Sequence, residues 1–426
     1  MTQLELARKG EVSPIMEIVA AAENVPVDVV CEQVAAGYAV IPANIGHKSL
    51  IPQGVGRIFK TKINANLGRS GSHSSIAEEL EKLQFAIDAG AEFVMDLSVG
   101  KDLMEMRQAM IAASTAPLGT VPIYEALDRL DGDATKLDED ILLSVITDQA
   151  EQGVDFMTLH AGFMQAHIEL AMKRRLGIVS RGGAIMAKWM KDKNRENPLF
   201  TRWDDIMAIC RKHDVTVSLG DGLRPGCLAD ASDEAQFAEL DSLGELVKRC
   251  RAGGVQVMVE GPGHVPFDQI QMNMEREQEV CDKAPFYVLG PIVTDVAPGY
   301  DHITSSIGAT AAAYYGASLL CYVTPSEHLT LPNCDDVRKG VAAHRIAAHA
   351  GDVARGLPGA RDWDDEMADA RGKFNWKHQF ELAIDGDQAR SRYEEGKDPS
   401  AIDDDYCSMC GKDFCAMRNS QQLENM

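Results

Sequence analysis

Between about residue 38 and residue 325 the chain alternates short, nearly continuous apolar runs with longer stretches whose apolar positions recur at helical spacing. The runs lie at 39–42, 62–66, 93–97, 119–123, 156–160, 177–180, 216–219, 256–260, 286–289 and 319–323. They are rich in Val, Ile and Leu and lack polar alternation, the pattern of strands buried on both faces in a parallel sheet. The helices between them are legible at their ends. Ser75-x-x-Glu78 is a capping box that opens a helix over 76–89, with Leu80, Leu83 and Ala86 on one stripe and Gly90 as its stop. Pro26 and Gly37 bracket a helix ahead of the first strand in the same way.

Repeated strand–helix units predict right-handed crossovers and hence a parallel sheet. Eight or more of them predict an α/β fold closed into a (β/α)8 TIM-like barrel. No G-x-G-x-x-G follows the first strand, as a dinucleotide-binding open sheet would require. The expected organisation is an N-terminal extension over 1–37, a catalytic barrel over 38–345, a C-terminal helical segment over 346–398 and a terminal arm over 399–426. Such a barrel carries its chemistry at the C-terminal ends of its strands. Candidate residues recur there in phase: Asn64 and Asn66; Met95 and Asp96; Tyr124; His160; Ser180, Arg181 and Gly182; Asp221 and Arg224; Glu260 and His264; Tyr287; Asp301 and His302; Glu327 and His328. Any one of these would pass as a cap or a loop hydrogen bond. Their repetition points to a site on the top face.

Charge and composition narrow the partners. The formal net charge of −23 excludes non-specific nucleic-acid binding, which needs a basic face. No apolar run is long enough to span a bilayer, so no membrane association is expected. No charged-then-apolar N-terminal segment resembles a signal peptide, and a cytoplasmic protein is the expectation. Seven of the ten cysteines (Cys31, Cys210, Cys227, Cys250, Cys281, Cys321 and Cys334) are scattered singly, as small hydrophobes in a reducing compartment.

The other three are crowded into Cys407-Ser-Met-Cys410-Gly-Lys-Asp-Phe-Cys415. Three thiolates on one short loop suit a [4Fe–4S] cubane that leaves one iron open to substrate. A structural zinc wants four ligands and would have to recruit a distant residue. The preceding stretch, 386–406, is charged and carries Pro399 and the acidic run 403–405, so it reads as a solvated tether. Gly220-Asp221-Gly222-Leu223-Arg224 and Ser180-Arg181-Gly182-Gly183 are glycine-rich turns with an arginine, suited to an anion such as phosphate. Glu260-Gly-Pro-Gly-His264 and Pro325-Ser-Glu-His328 place two imidazoles on neighbouring loops, able to hold zinc or iron with positions left open. Met95 reads either as core filler or as a soft wall of a cofactor pocket.

These motifs, taken in order, resemble one family. Ile41-Pro-Ala-Asn44, Lys62-x-Asn64-Ala-Asn66-x-Gly68, Val94-Met-Asp-Leu-Ser98, Gly119-Thr-Val-Pro-Ile-Tyr124 and His160-Ala-Gly162 are similar to stretches of the phosphomethylpyrimidine synthase (ThiC) family. So are Ile178-Val-Ser-Arg-Gly-Gly183, Ser218-Leu-Gly-Asp-Gly-Leu-Arg-Pro-Gly226, Glu260-Gly-Pro-Gly-His-Val-Pro266, Ala297-Pro-Gly-Tyr-Asp-His302, Cys321-Tyr-Val-Thr-Pro-Ser-Glu-His-Leu329 and the terminal cysteines. The resemblance implies a radical S-adenosylmethionine lyase of thiamine biosynthesis. Such an enzyme converts 5-aminoimidazole ribotide to 4-amino-5-hydroxymethyl-2-methylpyrimidine phosphate with release of formate and carbon monoxide. It implies a [4Fe–4S] cluster on Cys407, Cys410 and Cys415, and a second metal, zinc or iron, on His264 and His328. It further implies a ribotide site of Asn66, Met95, Tyr124, His160, Ser180, Arg181, Gly182, Asp221, Gly222, Leu223, Arg224, Glu260 and Tyr287. Glu260, His160 and Tyr287 would be the catalytic groups. A reducing protein such as flavodoxin or ferredoxin would supply electrons, and the cluster arm would reach the barrel of a partner subunit in a homodimer.

The chain also departs from the family's pattern. It lacks the long N-terminal domain of many bacterial members and looks like the short form of anaerobes and archaea. Asp96-Leu-Ser-Val99-Gly and His328-Leu-Thr330-Leu-Pro replace the commoner Ser-Thr-Gly and His-Leu-Gly-Leu-Pro, and an extra Arg69-Ser-Gly-Ser-His73 follows Asn66. A sister group, the 5-hydroxybenzimidazole synthases, uses the same ribotide for the lower ligand of cobalamin and stands as the alternative. Leu223 and Val265-Pro266 look more like the thiamine branch. A non-catalytic metal-binding barrel is the remaining reading.

Overall fold

Eight short strands, parallel and in chain order, close on themselves in the computed structural model, which describes residues 1–70, 74–397 and 406–423. They are β1 (Lys62–Leu67), β2 (Phe93–Asp96), β3 (Leu118–Thr120), β4 (Phe156–Leu159), β5 (Thr216–Leu219), β6 (Val257–Gly261), β7 (Phe286–Leu289) and β8 (Ala317–Cys321). The last pairs with the first, so the sheet has no edge. Nearly every strand residue is buried, as unalternating runs require when helices cover one face and the barrel interior the other. The register sets the site's layout. It places Asn66 level with Met95, Asn64 level with Cys321 and Glu260 level with Tyr287.

Three apolar runs behave differently from the expectation. Residues 39–42 contribute Ala39–Val40 to a separate antiparallel pair with Val55–Gly56, because β8 already occupies the free side of β1. Residues 177–180 form no strand; Val179 is exposed and Ser180 serves instead as the N-cap of helix Arg181–Lys193. The strand expected at 119–123 ends at Thr120, and Pro122 at the first turn starts the helix Pro122–Asp128 that carries Tyr124. The helix ends were read correctly. Ser75 and Glu78 form the reciprocal capping box of Ile76–Asp88, and Pro26 and Gly37 flank Val27–Ala36.

The chain divides into two compact units, Met1–Asp352 and Val353–Met426. In the first, the N-terminal helices build a small core of their own around Met16, Val30, Val34, Ile41 and Phe59. Polar anchors hold this segment to the barrel's lower face: Thr2 Oγ1 donates to the Gly254 carbonyl at 2.6 Å, and the Gln3 N–H donates to Asp214 at 3.0 Å. The most buried anchor is Asp155, which accepts from the backbone N–H of Asn44 at 2.9 Å, that of Leu118 at 2.8 Å and His47 Nδ1 at 2.7 Å. The other ring nitrogen of His47 meets the Ser114 carbonyl at 3.0 Å, so both ring nitrogens face acceptors, which favours the protonated ring. Burial alone would lower its pKa; the Asp155 carboxylate and that carbonyl outweigh burial and raise it. Asp155→Ala leaves a buried imidazole and two backbone N–H groups without their acceptor. We expect a loss of about 3–5 kcal/mol in urea unfolding at neutral pH.

The second unit contains the helices Ala360–Gly372, Trp376–Leu382 and Gly386–Glu395. Tyr393 packs against Trp376 and Phe380, with ring centroids 4.4 Å and 5.5 Å away, and the Trp363 indole donates to the Leu382 carbonyl at 2.8 Å. The tether reading of 386–406 is therefore corrected over its first half: an aromatic cluster orders it as helix. Pro399 and the acidic run 403–405 lie outside the described residues, as does His73. Among the described residues no helix is long and apolar enough to cross a membrane.

Candidate active site

The strand ends converge on a cavity of about 490 Å³ at the C-terminal mouth of the barrel. Asn66, Met95, Tyr124, His160, Asp221, Arg224, Glu260 and Tyr287 line it, all of them expected at the site from sequence. The others expected there do not reach this cavity. Gly182 lies against the His160 imidazole, where a Cβ would come within 2.3 Å of the ring, and a Cβ on Gly183 would lie 2.4 Å from the Gly222 carbonyl. The glycines of that turn thus let helix Arg181–Lys193 start directly against the two neighbouring loops. Ser180 joins the set indirectly, its Oγ 3.1 Å from His160 Nε2. Arg181 stacks over the Tyr124 ring at 4.7 Å and lines a second cavity instead.

One wall of the inner cavity is amide and phenol. Asn64 Nδ2 donates to the Tyr287 hydroxyl at 2.6 Å and to Asn66 Oδ1 at 2.8 Å, and Tyr287 in turn donates to Met95 Sδ at 3.6 Å. Asn66 Nδ2 donates to Cys321 Sγ at 3.0 Å. Burial holds the Tyr287 phenol well above its ordinary range, so it stays a neutral donor.

The opposite wall carries the charge. Arg224 Nη1 meets Asp221 Oδ1 at 3.0 Å, while Asp221 Oδ2 is buried without a partner among the described residues. Burial pushes the Asp221 carboxyl up to about 7 against the pull of Arg224. Glu260 is also raised by burial, against the hydroxyls of Thr158 at 2.5 Å and Ser218 at 2.8 Å, both of which donate to its Oε1. His160 is pushed down to about 3 by burial, with Arg224 adding to it, so the imidazole is neutral. Its Nδ1 is buried with no hydrogen-bond partner among the described residues. Two carboxyls raised toward neutrality, a neutral imidazole and an arginine around one small cavity are groups able to hold an anionic substrate and to move protons.

The metal-ligand candidates fare differently. The His264 and His328 rings lie 5.6 Å apart between centroids. His264 Nδ1 meets Asp295 Oδ1 at 2.8 Å, and Asp295 Oδ2 is itself fixed by the Leu228 N–H at 2.9 Å. That leaves Nε2 of His264 to act as a ligand, the usual carboxylate–histidine arrangement of a metal site. His328 takes a left-handed backbone at φ 60°, costly for a residue with a Cβ and found where a side chain must be aimed. The pair fits a divalent metal with open positions. Cys407, Cys410 and Cys415 are all free thiols, the first two accessible and the third buried at the start of helix Ala416–Leu423. Their donor chemistry fits a cluster with three thiolate ligands. Among the described residues, however, no three His, Cys, Asp or Glu side chains are gathered as a metal-holding group.

Sequence reading missed several members of the site. Thr158 precedes His160 by two, on the same strand face, and Ser218 stands inside β5. Both are polar residues embedded in apolar runs, which is the one signal that marked them. Cys321, one of the seven singly scattered cysteines, lines the inner cavity and is more than a small hydrophobe. Asp295 and Glu239 act on His264 and on the 221–224 loop across 31 and 16 residues of sequence, and no local pattern announces them. Asp301 and His302 open helix Asp301–Tyr315 and line neither cavity.

A closed parallel barrel with such groups at its C-terminal mouth is a TIM-barrel enzyme of small-molecule chemistry. The chain belongs to the radical SAM ThiC family, whose family model matches residues 2–422. It is 59% identical to a phosphomethylpyrimidine synthase of Natronomonas pharaonis over 425 residues, covering 99% of this chain and 88% of that one. It is 57% identical to the phosphomethylpyrimidine synthase of Halobacterium salinarum, covering 100% and 89%, and 58% identical to that of Haloarcula marismortui, covering 100% and 88%. Membership of a radical SAM family implies S-adenosylmethionine and an iron–sulfur cluster.

Proposed function

We propose that the chain is a phosphomethylpyrimidine synthase of thiamine pyrimidine synthesis. It would convert 5-aminoimidazole ribotide to 4-amino-5-hydroxymethyl-2-methylpyrimidine phosphate, with release of formate and carbon monoxide. The observation that carries this reading is the inner cavity, where eight residues expected from sequence meet on one barrel rim in a chain of this family. When bound, the cluster and S-adenosylmethionine supply the one-electron cleavage that generates an adenosyl radical. Cys407, Cys410 and Cys415 would hold the cluster, and His264 and His328 a zinc or iron ion beside S-adenosylmethionine.

The chain's own residues bind, orient and move protons. Arg224, kept in place by Asp221, offers its guanidinium to the anionic end of the ribotide. Asn66 and Tyr287 offer an amide and a hydroxyl to the ring, exchanging for it their weak contacts to Cys321 and Met95 sulfur, and Met95 and Leu97 supply apolar walls. Half-buried Glu260 and buried, neutral His160 carry protons at the rearranging carbons with little opening of the site to bulk water.

The assembly we infer is a homodimer. An exposed apolar stripe supports it: Val296, Tyr300, Ile303, Ile307 and Tyr314 recur at near-helical spacing and are all more than 40% exposed. A monomer in sedimentation equilibrium at micromolar concentration would overturn that part. For the activity, the deciding experiment is anaerobic incubation of the reconstituted, reduced protein with ribotide and S-adenosylmethionine. The pyrimidine phosphate and 5′-deoxyadenosine are expected. A benzimidazole product would place the chain in the sister branch.

A further inference from the structure

A third cavity, of about 350 Å³, lies between the loop that carries Asp221 and Arg224 and the helix Glu234–Ala252. Asp221, Arg224 and Glu260 line both it and the inner cavity, so one wall serves two spaces. From the helix, buried Glu239 reaches the loop. Its Oε2 accepts from the Leu223 N–H at 2.6 Å. Its Oε1 is buried with no hydrogen-bond partner among the described residues, although the Gly222 N–H lies near the carboxyl. A Cβ on Gly222 would come within 3.0 Å of that oxygen. Asp221, the next residue of the loop, is built the same way. One of its oxygens meets Arg224, and the other, Oδ2, is buried and unpartnered among the described residues. The Gln236 amide on the same cavity wall is committed elsewhere, to Asn273 Oδ1 at 2.6 Å and the Ser232 N–H at 2.8 Å.

Two carboxyl oxygens sealed from water and lacking donors are costly if both groups are ionised, and each negative charge raises the cost of the other. One proton removes most of that cost. Burial pushes Glu239 up to about 8, with Asp221 adding to it, and pushes Asp221 up to about 7 against the pull of Arg224. Asp221, which has the guanidinium, is therefore the one that ionises first. The other charged groups facing Glu239 are Arg224 and Glu260 around the cavity and Arg174, itself paired with Asp233 at 2.7 Å. We propose that Glu239 is a positioning residue that keeps the one proton of a Glu239–Asp221 carboxyl pair, so that a single negative charge stands behind Arg224. Its Oε2 fixes the loop, and its neutrality leaves Arg224 with one counter-charge rather than two when an anionic group arrives. The inference deepens the functional reading and rests on it for that anionic group, the phosphate of the ribotide.

Infrared difference spectra of the full chain read the proton directly. A carboxylic-acid C=O band of the wild type at neutral pH is expected to vanish in Glu239→Gln, and an unchanged band overturns the pair. The glutamine carbonyl still accepts from Leu223 and its amide N–H stands where the proton was, so Glu239→Gln should fold. It should melt with the wild type at about pH 5 and above it at about pH 9, because a carboxyl raised in the folded chain costs stability once the unfolded chain ionises. Melting below the wild type at both overturns the proposal. Equilibrium binding of 5-aminoimidazole ribotide, without S-adenosylmethionine or reductant, reads the consequence. Wild-type affinity should fall about tenfold as pH rises through about 8, where a second charge develops behind Arg224. That window lies above the phosphate's own ionisation near about pH 6. Glu239→Gln should match the wild type below the transition and lose the fall. Glu239→Ala, without the Leu223 contact, should bind more weakly at every pH. A fall that persists in Glu239→Gln, or a Glu239→Ala that binds as the wild type does, overturns the positioning role. If the wild type binds no ribotide the functional reading fails, while the band and the melting still decide the pair.

Discussion

Cys410→Ser protein, reconstituted and reduced without oxygen, is expected to fold as the wild type does and to yield no 5′-deoxyadenosine from S-adenosylmethionine. The choice of cysteine follows from surroundings. Cys415 is buried at the start of helix Ala416–Leu423, its carbonyl accepting from the Asn419 N–H at 2.9 Å, so a change there disturbs local structure as well as a ligand. Cys410 is exposed, between Met409 at 91% exposure and Phe414 at 82%, so removing its sulfur alters little packing. The barrel's hydrophobic core is built from residues between Val40 and Ala348, far from it in sequence. Thermal unfolding should therefore move by no more than about 0.5 kcal/mol equivalent, as for an ordinary surface substitution. Cluster loading should not survive, because the thiolate is the ligand that iron of this kind takes and a serine hydroxyl stays protonated at working pH. The motif's three thiols are each needed for a cluster with three thiolate ligands. Visible absorption and electron paramagnetic resonance read the cluster, and chromatography reads 5′-deoxyadenosine. A Cys410→Ser variant that still cleaves S-adenosylmethionine at the wild-type rate would remove the motif from the mechanism.

How much of this was legible in the sequence follows from which forces act locally. Strands enclosed on both sides must be apolar throughout, so all eight barrel strands fall within or overlap a predicted run. The same rule misled at 39–42 and 177–180. An apolar run says only that a segment is buried or packed, and which neighbour it pairs with depends on a closure that no single segment records. At 119–123, Pro122 carried the correct signal for a helix start and the apolar run obscured it. Within the site, groups aimed into the cavity were legible because a parallel barrel puts strand ends at one rim. Groups that act through others were not. Asp295 on His264, and Glu239 on the Gly222–Leu223 backbone, are contacts between separate loops or between a loop and a helix. Burial pushes the Glu239 carboxyl up to about 8, with Asp221 adding to it, yet in the sequence it is one acidic residue on a helix of many.

Glu260→Gln is expected to leave binding and folding nearly intact while cutting kcat by about 10²- to 10⁴-fold, the range a positioned proton carrier contributes. Both protein donors to this side chain, Thr158 Oγ1 and Ser218 Oγ, point at the same oxygen, and the glutamine carbonyl accepts from them as the carboxylate does. What the substitution removes is the second oxygen as a site of protonation, on the wall of the inner cavity. Burial raises the Glu260 pKa above the ordinary carboxylate range, which keeps a proton exchangeable nearer neutral pH. The sign of the pH dependence reports its role. A base works ionised, so kcat would fall as pH drops through that raised pKa; an acid works protonated, so kcat would fall as pH rises through it. In either case Glu260→Gln should erase the limb, whereas Thr158→Val should shift it upward, because the lost hydroxyl favours the charged form. Asp221 is also raised by burial, up to about 7, so the limb is measured in parallel in Asp221→Asn to separate the two carboxyls. A Glu260→Gln enzyme with kcat within about threefold of wild type, on a scale where proton carriers count for 10²-fold or more, would assign the proton to another group. His160 and Asp221 would be the next candidates, because among the described residues His160 Nδ1 and Asp221 Oδ2 are both buried and unpartnered on that wall.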